Sequence, residues 1–177
     1  MKMAKKLLAV VLAGVLAVSL LTGCGGAVST MTIAEAMSDK SIAEAMSDMS
    51  EEGVVYEEKP ELNEKAGQIA EMIRRKVEGY DPGNDPDIYG GIMHNIMGKD
   101  YADKYVWIAE TTTKGNNVTT QAENLLEDVD EDSNINGAVA DGTSPANVRS
   151  IGTVPITENG VDYLFAVITA DAVQGKV

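Results

Sequence analysis

The chain has 177 residues, with 14 Lys or Arg against 28 Asp or Glu, a formal net charge of −14. So acidic a balance opposes binding to nucleic acid, where clustered cations must neutralise phosphates. A single Cys excludes an intrachain disulfide framework, and one Trp with one Phe leaves nine Met as much of the softer apolar filling.

Lys2, Lys5 and Lys6 precede an uncharged apolar run from Leu7 to Leu21, broken only by Gly14 and Ser19. As a helix it would reach only ~22 Å, short of the ~30 Å hydrocarbon core of a bilayer. It therefore reads as the apolar region of an export signal and not as a spanning helix. Leu21-Thr22-Gly23-Cys24 follows at once and ends in the only cysteine. That stretch resembles the lipobox of bacterial lipoprotein signal peptides. The resemblance implies that residues 1–23 are removed, that Cys24 carries a diacylglycerol, and that the protein works outside the cytoplasm, anchored to the cell membrane. Two acyl chains hold firmly where one is marginal, because each buried methylene contributes ~0.8 kcal/mol. Thr22-Gly23 would also suit ordinary signal peptidase, which would leave a free thiol in a secreted protein. Three of the 14 cations and none of the acids precede Cys24, so the remaining chain carries 11 against 28, a net −17. Such a charge opposes spreading on anionic lipid, so membrane contact is expected through the lipid at Cys24 alone.

Residues 24–53 read as a flexible tether containing a nine-residue repeat. Ile33-Ala34-Glu35-Ala36-Met37-Ser38-Asp39 recurs as Ile42-Ala43-Glu44-Ala45-Met46-Ser47-Asp48. Each copy opens with a capping box, Thr32 with Glu35 and Ser41 with Glu44. Nine residues make 2.5 helical turns, so in one continuous helix the two Ile/Met pairs would face opposite sides. Two short helices in a mobile spacer are expected; a docking motif for a partner is the functional alternative.

Residues 54–177 carry the globular part. Pro60 to Glu78 predicts a helix with Leu62, Ala66, Ile69, Ala70, Ile73 and Val77 on one face. Pro60 suits the first turn, and Gly79 with Asp81-Pro82 stops it. A second helix is predicted after Asp85-Pro86, where Ile88, Ile92 and Ile96 recur every fourth residue. His94, the only histidine, points away from that stripe. Asp100 opens a short turn before a buried strand, Tyr105 to Ile108. Asn117 to Val129 predicts a further helix, capped by Asn117 or by a Thr120/Glu123 box. Glu127 to Asp141 is acidic and turn-rich. Ile151 to Thr157 and Val161 to Ala170 flank Glu158-Asn159-Gly160, a strong hairpin signal. Val161, Tyr163, Phe165 and Val167 face one way and Leu164, Ala166 and Ile168 the other, so the last strand is expected to be covered on both faces. The fold expected is α+β, a three-layer α/β/α sandwich around a small, mostly antiparallel sheet.

This order of helix, histidine region, short strand, helix and terminal hairpin resembles the CAP domain (cysteine-rich secretory protein, antigen 5 and pathogenesis-related) over residues 54 to 170. Pro60-Glu61-Leu62-Asn63 looks like the family's opening helix. Ala109-Glu110-Thr111 stands where the family has Gly-Glu-Asn. Ser144-Pro145-Ala146-Asn147 resembles its Ser-Pro-x-His segment, with Asn147 in place of the histidine, and His94 stands for the other histidine. The family's cleft gathers two histidines and two acids, which in some members hold a metal. The resemblance implies a cleft of His94, Glu110 and Asn147 here. His94 and Glu110 alone supply too few ligands for a tight zinc site, so a non-catalytic cleft that binds an envelope or extracellular ligand is expected.

Asp132, Asn134 and Asn136, followed by Gly137, match the first half of a calcium loop. Thr143 occupies the twelfth position, where a bidentate carboxylate is required, so a solvated acidic turn competes with weak divalent-cation binding. No Gly-x-Ser-x-Gly elbow accompanies His94, and no two carboxylates stand out as a glycosidase pair. The functional expectation is a membrane-anchored lipoprotein with a non-enzymatic domain and no resident cofactor. The rival readings are a hydrolytic or metal-dependent enzyme using the His94/Glu110 cleft, and a purely structural envelope protein.

Overall fold

The structure, a computed structural model, describes residues 40–77, 88–130 and 133–175. A compact unit begins at Ser41. Its first element is helix α1, Ile42–Met49. The Ser41 hydroxyl accepts from the Glu44 N–H at 3.2 Å and the Glu44 carboxylate accepts from the Ser41 N–H at 3.0 Å, closing the expected capping box. Ala43, Ala45 and Met46 are buried, with Ile42 and Met49 packed beside them. The second copy of the repeat is therefore part of the folded unit, and the spacer expected over 24–53 does not extend to 41–53. Nine-residue spacing denies the two copies a common stripe, but it does not deny one copy its own. Ser47 secures that copy: its hydroxyl donates to the Ala43 carbonyl at 2.8 Å and accepts the Tyr56 N–H at 2.8 Å. The first copy, Thr32 to Asp39, lies outside the described residues, as does Cys24.

Tyr56 sits in strand β1, Val55–Glu58, which periodicity does not announce because only this one residue faces inward. Helix α2, Pro60–Val77, follows with Leu62, Ala66, Ile69 and Ala70 buried as predicted. Helix α3, Ile88–Ile92, runs into a π-helical turn, Met93–Met97. The Gly98 N–H bonds the Met93 carbonyl at 2.9 Å. The wider turn inserts one residue, so Met97 takes the fully buried position that a regular helix would assign to Ile96. A 3₁₀ turn, Lys99–Tyr101, leads to strand β2, Lys104–Thr112. Helix α4, Val118–Glu127, is capped by Asn117, whose side-chain oxygen accepts the Thr120 N–H at 2.9 Å. Strands β3, Thr143–Glu158, and β4, Val161–Gln174, form the hairpin. Asn159 and Gly160 both have positive φ, 50° and 79°, the two-residue turn whose twist matches that of the strands.

The four strands form one mixed sheet in the order β1-β3-β4-β2. β1 runs parallel to β3, and the other two pairings are antiparallel. β2 is longer than the Tyr105 to Ile108 expected because all nine of its residues find partners on β4. Four α-helices among the described residues cover both faces of this sheet. On one face Tyr105, Trp107, Ala109, Ile151, Ala166 and Ile168 meet α1 and α4. On the other Val106, Phe165 and Val167 meet α2 and α3. The two-sided burial predicted for the last strand is thus present, and it comes from strict alternation along β4. No described helix is long and apolar enough to cross a membrane.

Candidate functional site

A groove of about 860 Å³ lies between α3 and the outer edge of β2. Ile73, Tyr89, Met93 and Ile108 form an apolar floor, and Asp128 with residues 133–138 forms a polar wall. Lys65 holds the helical side in place, donating to the Ile96 carbonyl at 2.7 Å and lying 5.2 Å over the Tyr101 ring. Burial, aided by the charge of Glu61, pushes the Tyr101 phenol above its ordinary pKa.

The polar wall is fastened to a strand edge. The Ile135 N–H bonds the Val106 carbonyl at 2.9 Å, and the Val106 N–H bonds the Asn134 side-chain oxygen at 2.9 Å. These two bonds cover an edge that would otherwise offer free backbone groups. Asn136, 4 % exposed, is the fixed point behind them. Its NH₂ group faces the carbonyls of Tyr101, Ala102 and Lys104 at 3.0, 3.1 and 2.8 Å, and its oxygen accepts the Ala138 N–H at 3.1 Å. Trp107, fully buried, donates from its indole to the Asp130 carbonyl at 2.5 Å and pins the near end of the same loop. Asn136→Ala leaves three part-buried carbonyls without this partner at once. It is expected to cost about 2–3 kcal/mol, read as a lower urea midpoint with an unchanged slope.

Asn134 and Asn136, offered above as calcium ligands, both spend their side-chain oxygens on backbone N–H groups. A cation would have to displace those bonds. Asp132 lies outside the described residues. No group of three or more His, Cys, Asp or Glu is placed to hold a metal among the described residues.

Of the three residues of the expected cleft, Asn147 is not brought to Glu110. His94 is exposed on the π turn, and Glu110 is exposed near the far end of β2. No hydrogen bond or ion pair joins them. Glu110 is level with Phe165 on β4, which is level with Val154 on β3. Five regular steps of β3, roughly 16 Å at the usual strand rise, separate Val154 from Arg149, and Asn147 lies beyond it. It sits in an irregularity between Pro145 and Arg149, with its amide beside Gly53. Strand register, not order along the chain, decides where Asn147 stands relative to Glu110.

Sequence reading also missed the place of Arg149. Its guanidinium lies 5.2 Å over the Trp107 ring and 5.7 Å over Tyr56, and donates to the Tyr56 hydroxyl at 3.0 Å. Tyr105 stacks on Trp107 at 5.6 Å. Aromatic faces thus take the role that a carboxylate usually plays for a half-buried cation. No local pattern signals this, because Tyr56, Trp107 and Arg149 stand on three different strands. Comparison with protein-family models, with curated proteins and with solved structures finds no match to this chain.

Proposed function

We propose that this protein is an extracytoplasmic lipoprotein, anchored through Cys24, whose non-catalytic domain binds an envelope or extracellular ligand in the groove beside Tyr89 and Ile108. The groove carries the binding half of this reading. An apolar floor facing a few fixed polar groups is the usual form of a small-molecule site. Asp128 is the one charged residue of the lining, in a chain of net charge −14, which favours a neutral or cationic ligand with an apolar body. Helices on both sheet faces and the terminal hairpin support a degenerate, CAP-like three-layer sandwich as the scaffold. The parallel strand β1 is an addition to the mostly antiparallel sheet expected of it.

A neutral solvatochromic dye tests the groove. The wild-type protein is expected to bind it with a blue shift, and Met93→Asp, which puts a charge on the groove floor, should bind at least about tenfold more weakly, about 1.4 kcal/mol. Equal binding by the two proteins, or none by the wild type, would remove the groove from the argument.

A further inference from the structure

The repeat has a structural consequence that one docked copy makes visible. Ile42, Ala43, Ala45 and Met46 seat α1 against β1 and α4. Each has an identical counterpart nine residues earlier, Ile33, Ala34, Ala36 and Met37. Ser47, which takes the Tyr56 N–H, is matched by Ser38. The Ser41/Glu44 cap is matched by Thr32/Glu35, and threonine is an accepted cap. Of the apolar contacts only Met49 is not repeated; Lys40 stands in its place.

We propose that the seat of α1 accepts either copy of the repeat, so that residues 32–40 exchange with residues 41–49 and the chain docks in two registers nine residues apart. The described register is the favoured one for two reasons. Five residues, 50–54, join α1 to β1. In the other register the loop lengthens to fourteen, which disfavours it about fivefold. Replacing the partly buried Met49 by lysine removes apolar contact and disfavours it about tenfold more. The second register is then populated at about one part in fifty.

Exchange changes the reach of the arm. From Cys24 to the helix cap is 17 residues in the described register and 8 in the other. Fully extended, those lengths span about 58 Å and about 27 Å. The domain would stand at two heights above an acyl anchor, and a partner that captures the released second copy would select the shorter arm. This consequence rests on the proposed anchor at Cys24; the exchange itself does not.

The test is a double-mutant cycle on the exported protein carrying Cys24→Ala, which leaves both copies intact. Met46→Asp expels the second copy from its seat. If the first copy takes over, the loss is limited to the bias between registers, a Tm lower by about 8 °C. Met37→Asp alone should move Tm by less than about 1 °C. Together the two should lower Tm by at least about twice the Met46→Asp shift, since neither copy then docks. Hydrogen exchange at the Tyr56 amide gives a second reading: protected in wild type and in Met46→Asp, unprotected in the double variant. A double variant no less stable than Met46→Asp, with the same Tyr56 protection, overturns the proposal. That failure would leave the groove and the anchor untouched, because neither enters the cycle.

Discussion

Gly152→Ala is expected to remove a large share of the domain's stability. A Cβ at position 152 would lie 2.2 Å from the Leu62 carbonyl carbon, 2.4 Å from the Leu62 Cβ and 2.5 Å from the Asn63 nitrogen. Those are atoms of the first turn of α2, not the ends of flexible side chains. The turn has no freedom to retreat, because it is fastened on either side of the glycine. The Lys59 N–H bonds the Ile151 carbonyl at 2.9 Å, and the Thr153 N–H bonds the Asn63 side-chain oxygen at 2.8 Å. Moving the helix away by the ångström or more that a methyl demands breaks both bonds and lifts Leu62, Ala66 and Ile69 from the sheet. Overpacking, lost hydrogen bonds and lost burial together should cost about 4–6 kcal/mol, against a total stability of about 5–15 kcal/mol for a domain. Gly91→Ala is the control. Its Cβ meets the terminal methyl of Met72 at 2.9 Å and the Asn95 amide nitrogen at 3.9 Å, both ends of flexible side chains, and a change within about 1 kcal/mol is expected. Circular dichroism and urea titration distinguish the two. A Gly152→Ala protein as stable as Gly91→Ala would mean that α2 does not lie this close to β3.

Cys24→Ala is expected to move the protein from the membrane fraction to the soluble one almost completely. Two acyl chains at ~0.8 kcal/mol per buried methylene would be a stable attachment, and nothing else described would replace them. No described helix spans a bilayer. The chain beyond residue 23 carries 11 cations against 28 acids, so an anionic lipid surface repels it. Mass spectrometry of the native protein should find a chain beginning at residue 24 and heavier than its sequence by a diacylglycerol or more. An unmodified thiol, an intact Met1, or a Cys24→Ala protein that still sediments tightly with membranes would each defeat the anchor.

Much of the fold was legible because its signals are local. The Leu62-Ala66-Ile69-Ala70 stripe, the Asn117 cap and the Asn159-Gly160 turn each involve residues within a few positions of one another. They specified α2, α4 and the β3–β4 hairpin, and the alternation along β4 announced burial on both sides. The candidate site was much less legible. Asn134 and Asn136 read as cation ligands because their spacing fits a calcium loop. Their actual partners are the backbones of Val106, Tyr101, Ala102 and Lys104, about 30 residues away in the chain. The groove arises where α3 and a loop meet the same strand edge, and no window of sequence contains both.

By itself, then, the sequence carries the Leu21-Thr22-Gly23-Cys24 stretch on which the proposed anchor rests, an acidic composition, the patterns of helices on a sheet, and a repeat whose two copies match at nearly every position. Only the tertiary structure decided that one copy is folded into the domain, that β1 joins β3 in parallel, and that Asn147 lies far from Glu110. Caps, turns and periodic stripes are set by neighbours along the chain. Which strand lies beside which, and where α1 is seated, depend on contacts between distant segments. Those contacts are chosen by the total burial they achieve, not by any residue pattern within one segment.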